Sequence, residues 1–394
     1  MSMCSWPFPT VWLRCRSTCG TTSWESVPTT RKIELALALE AQARGADPRI
    51  RQVSSADYGD VAAESALVST TGIRSSTRKT SGYLSVGVIA GEGDASQTGG
   101  GFSVGRGFDG LDPERATTDA VSRAVRLLGA VKGPSGRSTI VFDRRMATTL
   151  LSIVSSALSG EAVAKGRSIF AGRVGEQVGH PGLTLVDDPT DPRAYGAAAY
   201  DSEGLACRRN ALIEGGVLRG FLYDTVSGSR SGVASTGSAV RGGYAGTPGP
   251  GCRALTLAPG PEGYDEDGVL AAVGEGLFVQ SMTGVHSGVN PISGDFSVGA
   301  EGLMIRDGKL AEPVREITVP PPCSACCCPW WRWEPTSSGS PVSPPARHWP
   351  LAICRSAAFD PRSSPSCSAA CDYLLVASAA LALLHVARAF GSEV

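Results

Sequence analysis

The chain has 394 residues, enough for one large or two medium domains with a substantial core. Its 36 Lys and Arg against 37 Asp and Glu leave a formal net charge of −1, so no basic surplus points to nucleic acid or to an anionic membrane surface. Glycine is abundant (49) and aromatic residues are sparse (6%), which favours strands and turns over a helical bundle.

The opening residues are rich in Cys, Trp, Pro and Arg, and regular patterning begins near Val27. Met1–Thr22 does not offer, in order, the basic, apolar and small-residue regions of a secretory signal, so no secreted destination is expected. Arg31–Gly45 reads as an amphipathic helix with Ile33, Leu35, Leu37 and Leu39 among its apolar positions. Strands are expected around Ile50–Ala56, Val61–Thr70, Tyr83–Ala90 and Gly101–Gly105, with glycine-rich turns between them. Asp112-Pro113-Glu114 opens a second helix, with Asp as cap and Pro at the first helical position. The polar loop Lys132–Arg137 divides an N-terminal α/β layer, residues 27–137, from a β-rich C-terminal domain, residues 138–319. The expected class is α+β.

Ser138–Phe142 is a short strand, and Asp143 can cap the helix that follows by accepting its orphan N–H groups. Met146, Leu150, Ile153, Val154, Ala157 and Leu158 recur at spacings of three and four and make one apolar stripe. Gly160 and Gly166 are candidate ends. Beyond, the pattern is strand and turn. Leu183–Val186 ends at Asp187-Asp188-Pro189, and Tyr200–Gly204 is a turn. Arg208–Thr225 is a hairpin turning at Gly215-Gly216, and Arg253–Leu257 is a strand. Tyr264–Gly276 reads as helix. Strands at Asp295–Val298 and Ala300–Ile305 precede a type I′ candidate turn at Asp307-Gly308 and a last strand to Thr318.

Several residues invite a chemical reading. His286 lies on a glycine-flanked loop, and with Asn290 it is the candidate contact for a peptide or partner cleft. His180, between Gly179 and Pro181, is turn-like, and the two histidines lack metal-ligand spacing. Asp187, Asp188 and Asp191 could gather a cation, but Asp before Pro ordinarily starts a turn. Gly99-Gly100-Gly101 lacks the Lys-Ser/Thr and the strand-to-helix setting of a phosphate loop. Cys207 precedes Arg208 and Arg209, whose charge could activate it, but a structural thiol is the expectation.

The segment from Ser138 to Phe170, the Asp187-Asp188 strand end, the Tyr200–Glu203 turn, the Asn210–Thr225 hairpin, Ser235-Thr236-Gly237 and Asn290–Gly302 together resemble the TldD/PmbA family of metallopeptidase-related proteins. In the TldD branch a zinc-binding His-Glu-x-x-x-His sits on the helix after Asp143. Ungapped alignment places those three positions on Leu151, Ser152 and Ser156. Leucine offers no lone pair, and serine is a poor zinc ligand and a poor general base. Glu161 lies nine positions past Ser152 and is read as a surface carboxylate. The resemblance implies a metal-free TldE/PmbA-like subunit of a cytoplasmic heterodimer. Zinc is expected on a TldD-type partner, and unfolded or small peptides are the expected substrate. The rival reading is a self-sufficient peptidase using His286 or Cys207.

The two ends stand apart. Of 12 Cys, only Cys207 and Cys252 lie between Thr30 and Pro320, and all seven Trp lie outside that stretch. With Pro329 as CCG and Arg332 as CGG, the codons of Pro329–Glu334 read Val-Val-Ala-Val-Gly in a shifted frame, which is a good buried strand. Residues 1–26 and 320–394 are therefore expected to be out-of-frame or disordered, and a non-functional product of frame shifts is a third reading. Cys323, Cys326, Cys327 and Cys328, with His348 and Cys354, lack the matched pairs of a zinc module. Leu374–Leu384 is about half of a ~20-residue membrane span.

Overall fold

The computed structural model describes residues 24–319, apart from 137, 180, 259–264, 291, 293 and 295, together with 352–356 and 372–374. His180, the Cys323–Cys328 cluster, His348 and the apolar stretch beyond Leu374 lie outside the described residues. The chain forms two units. One holds the described residues through Leu128 with Ala198–Cys207, and the other holds Gly129–Ala197 and the described residues from Arg208 onward. Helices accompany antiparallel and mixed sheets, as expected for the α+β class.

The first unit contains α1 (Thr29–Gly45), β1 (Ile50–Val68), β2 (Arg74–Ala90), β3 (Gln97–Gly105) and α2 (Pro113–Arg126). The strands form one antiparallel sheet in the order β1-β2-β3. β1 is continuous where the sequence suggests two strands, because β2 begins at Arg74 and pairs with it residue for residue from Ala56 to Val68. The Ser, Thr, Arg and Lys of Arg74–Thr80 carry no apolar alternation, so the ladder itself and cross-strand bonds such as Ser65–Thr77, 2.8 Å between hydroxyls, hold this arm.

Leu84, Val86, Val88 and Ala90 alternate along β2 and bury one face against Leu39 and Ala43 of α1 and Ala116, Ala120 and Ala124 of α2. α1 departs from the expected stripe. Leu39 is buried, whereas Ile33 and Leu37 are 55% and 60% exposed. Apolar positions two apart cannot share one face of a helix with 3.6 residues per turn. The cap of α2 is as read: Asp112 Oδ1 accepts from the Arg115 N–H at 2.9 Å, worth about 1 kcal/mol. Trp24 is 1% exposed. Its Nε1 donates to the Arg106 carbonyl at 2.9 Å, and its ring meets Tyr58 and Phe108. Ala198–Cys207 joins this unit at the hairpin tip, where a Cβ on Gly204 would stand 2.5 Å from Ile73 and 3.1 Å from Leu67.

In the second unit β4 (Val131–Lys132) and β5 (Ser138–Phe142) precede α3 (Arg144–Ala157) and α4 (Gly160–Ala164). β6 (Leu185–Asp187), β7 (Asn210–Glu214) and β8 (Val217–Leu218) follow, then α5 (Thr225–Arg230), β9 (Ala239–Val240), β10 (Gly249–Pro250) and β11 (Leu255–Leu257). The remainder is α6 (Glu266–Val273), β12 (Gly276–Thr283), α7 (Val285–Gly288), β13 (Val298–Arg306), β14 (Lys309–Val319), β15 (Ala352–Ser356) and β16 (Asp372–Leu374). One sheet runs β16-β15-β5-β12-β13-β14-β4, and a smaller one runs β11-β6-β7-β8. β5 and β12 are parallel neighbours. Both expected tight turns have two successive positive φ values, Gly215 and Gly216 at 59° and 75°, Asp307 and Gly308 at 48° and 71°, the requirement of a type I′ turn.

α3 is set by its cap and its stripe. Asp143 Oδ1 accepts from the Met146 N–H at 2.8 Å, and the Asp143 N–H donates to the Val279 carbonyl of β12 at 3.0 Å. Ile140, Phe142, Leu150, Leu151, Leu158, Leu277 and Val279 then share one core. Fully burying an aliphatic side chain of this kind contributes about 1.5–3 kcal/mol, so the strand–cap–helix junction is fixed from both ends.

Candidate functional site

Among the described residues the chemistry worth weighing lies on α3 and on the chain that touches it. Leu151 is 7% exposed and belongs to the core. Ser152 is half-buried and Ser156 is exposed. The Ser156 hydroxyl donates to the Ile153 carbonyl of its own helix at 2.7 Å, and the Ser155 hydroxyl does the same to Ser152 at 2.8 Å. These three aligned positions do not fit zinc: the first is hydrocarbon packed in the core, and the others are hydroxyls. Among the described residues no group of three or more His, Cys, Asp or Glu gathers as metal ligands.

The other candidates are dispersed. His286, in the short helix α7, and Asn290, just beyond it, are both exposed on the connection from β12 to β13. Asn290 Oδ1 accepts from the Ile292 N–H at 2.9 Å. Cys207 is 8% exposed in the first unit, where its N–H donates to Ala199. Glu161 pairs with Lys165 one helical turn on, at 2.5 Å, as a surface carboxylate does. Asp188 and Asp191 initiate turns as read, accepting from the N–H groups of Thr190 and Arg193 at 3.0 and 2.9 Å.

Asp187 does not belong with them. It is fully buried, at 0% exposure. Its Oδ1 accepts from the backbone N–H groups of Arg253 and Ala254 at 2.9 and 2.6 Å, which clamps the chain entering β11 beside β6. Its Oδ2 is buried with no hydrogen-bond partner among the described residues. Burial raises its carboxyl above the usual range, although the two N–H groups and the Arg253 guanidinium pull the other way. Burial also pushes the Cys252 thiol well up, the charge of Asp187 adds to this, and the neighbouring Ser155 hydroxyl of α3 opposes it. A thiol in this setting stays protonated at neutral pH and is a poor nucleophile. In sequence Asp187 is indistinguishable from its surface neighbours Asp188 and Asp191. The available signal was Cys252, one of two Cys in the body of the chain.

The sign of this shift sets a pH dependence. A carboxyl with a folded pKa above its unfolded value contributes stability that is complete below the unfolded pKa and is lost as pH rises through the folded one. Asp187→Asn keeps the acceptor for Arg253 and Ala254 and cannot ionise. Urea midpoints at pH 4 and pH 7 should therefore show the variant gaining on the parent at the higher pH. Parallel curves would mean that Asp187 carries no excess ionisation cost.

Among the described residues no helix is long and apolar enough to cross a membrane. Residues 22–128 match the PmbA/TldA metallopeptidase central domain, and residues 135–320 match the C-terminal domain of the same family. A TldD homolog from Haemophilus influenzae, described as a metalloprotease, is 30% identical over 306 residues, 75% of this chain and 62% of its own. A PmbA homolog from the same organism, also described as a metalloprotease, is 28% identical over 287 residues, 73% of this chain and 61% of its own. The chain thus spans about three fifths of the length of these curated relatives. The crystal structure of TldE from Thermococcus kodakarensis shares the fold, with a TM-score of 0.68, 24% identity, and coverage of 74% of this chain and 66% of that one. With both domain matches in order along one chain, this protein is a member of the PmbA/TldD metallopeptidase family.

Proposed function

We propose that the chain is the metal-free, TldE/PmbA-like subunit of a heterodimeric zinc peptidase of the cytoplasm. A TldD-type partner holds the zinc and cleaves unfolded or small peptides, and this chain completes the assembly and shapes access to it. The observation that carries the reading is Leu151: the position aligned with the first metal-binding His is filled by a 7% exposed core leucine. Ser152 and Ser156 add no imidazole or carboxylate beside it. Cys252, which packs against the same core, has its thiol pKa pushed up by burial and is a poor ligand or nucleophile.

The test is to express this chain with the TldD-type subunit of the same genome and to assay each chain and the mixture. The expected result is zinc on the partner alone, no peptide cleavage by this chain by itself, and activity in the mixture. Stoichiometric zinc held by residues 138–319 of the isolated chain, or cleavage by it alone, would overturn the reading.

A further inference from the structure

We draw no further inference here: the strongest candidate, the apolar row of Ile33 and Leu37 on the exposed face of α1, is 55% and 60% exposed, and nothing in the structure shows what covers it.

Discussion

Gly101→Ala should destabilise the first unit by about 3 kcal/mol, at the upper end of ordinary overpacking, and lower its melting temperature by roughly 10–20 °C. β3 and α2 approach each other almost backbone to backbone. A Cβ on Gly101 would stand 1.7 Å from the Ala116 carbonyl oxygen and 2.8 Å from the Ala120 nitrogen. On Gly99 it would stand 2.0 Å from the Ala120 oxygen and 2.6 Å from the Ala124 nitrogen. These neighbours are helix backbone, which cannot rotate aside like a flexible side chain, so the whole helix must retreat from Leu84, Val86 and Val88. Gly45→Ala is the control: nothing lies within 4 Å of its Cβ position, and its effect should stay within about 0.5 kcal/mol. Thermal melts of the three proteins decide the matter. A Gly101→Ala protein that melts with the parent would show that α2 is seated more loosely than the structure has it.

The same glycines show where sequence reading runs out. Gly99-Gly100 reads as part of a glycine-rich turn before a strand that begins at Gly101, yet all three lie inside β3, which begins at Gln97. Glycine signals turns through its freedom at positive φ, but Gly99 and Gly101 are small because a helix lies on them. Their partner is the run Ala116, Ala120 and Ala124 at i, i+4 and i+8, and neither half has meaning without the other. Caps and turns were legible because their causes are local: Asp112 and Asp143 cap the helices they precede, and Gly215-Gly216 turns the hairpin it occupies. The polar half of β2 was not legible, because its order comes from β1 rather than from burial. On α3 the sequence could show which side chains stand at the positions that the resemblance aligns with zinc ligands. It could not show that Leu151 is core, or that Cys252 packs against the same core.

Placing His, Glu and His at the three aligned positions of α3 should not create a zinc site. Leu151→His alone is expected to cost about 2–4 kcal/mol, combining the loss of a buried leucine with the burial of an imidazole. Leu151 is 7% exposed among Leu150, Phe142 and Val279 of one core. The triple variant Leu151→His, Ser152→Glu, Ser156→His is expected to hold well under one zinc per chain. Its first ligand would point into hydrocarbon, while the position of its second, Ser156, faces solvent. A metal needs its ligands around one cavity, and the buried face and the open face of this helix do not share one. Zinc content after dialysis, with a urea melt of each variant, tests both halves. If the triple variant takes one equivalent of zinc and keeps the parent's midpoint, the packing around Leu151 is adaptable and only the ligand types keep zinc out. If the midpoint falls and zinc stays near background, the core packing around Leu151 excludes a zinc site there, and changing the three side chains alone does not build one.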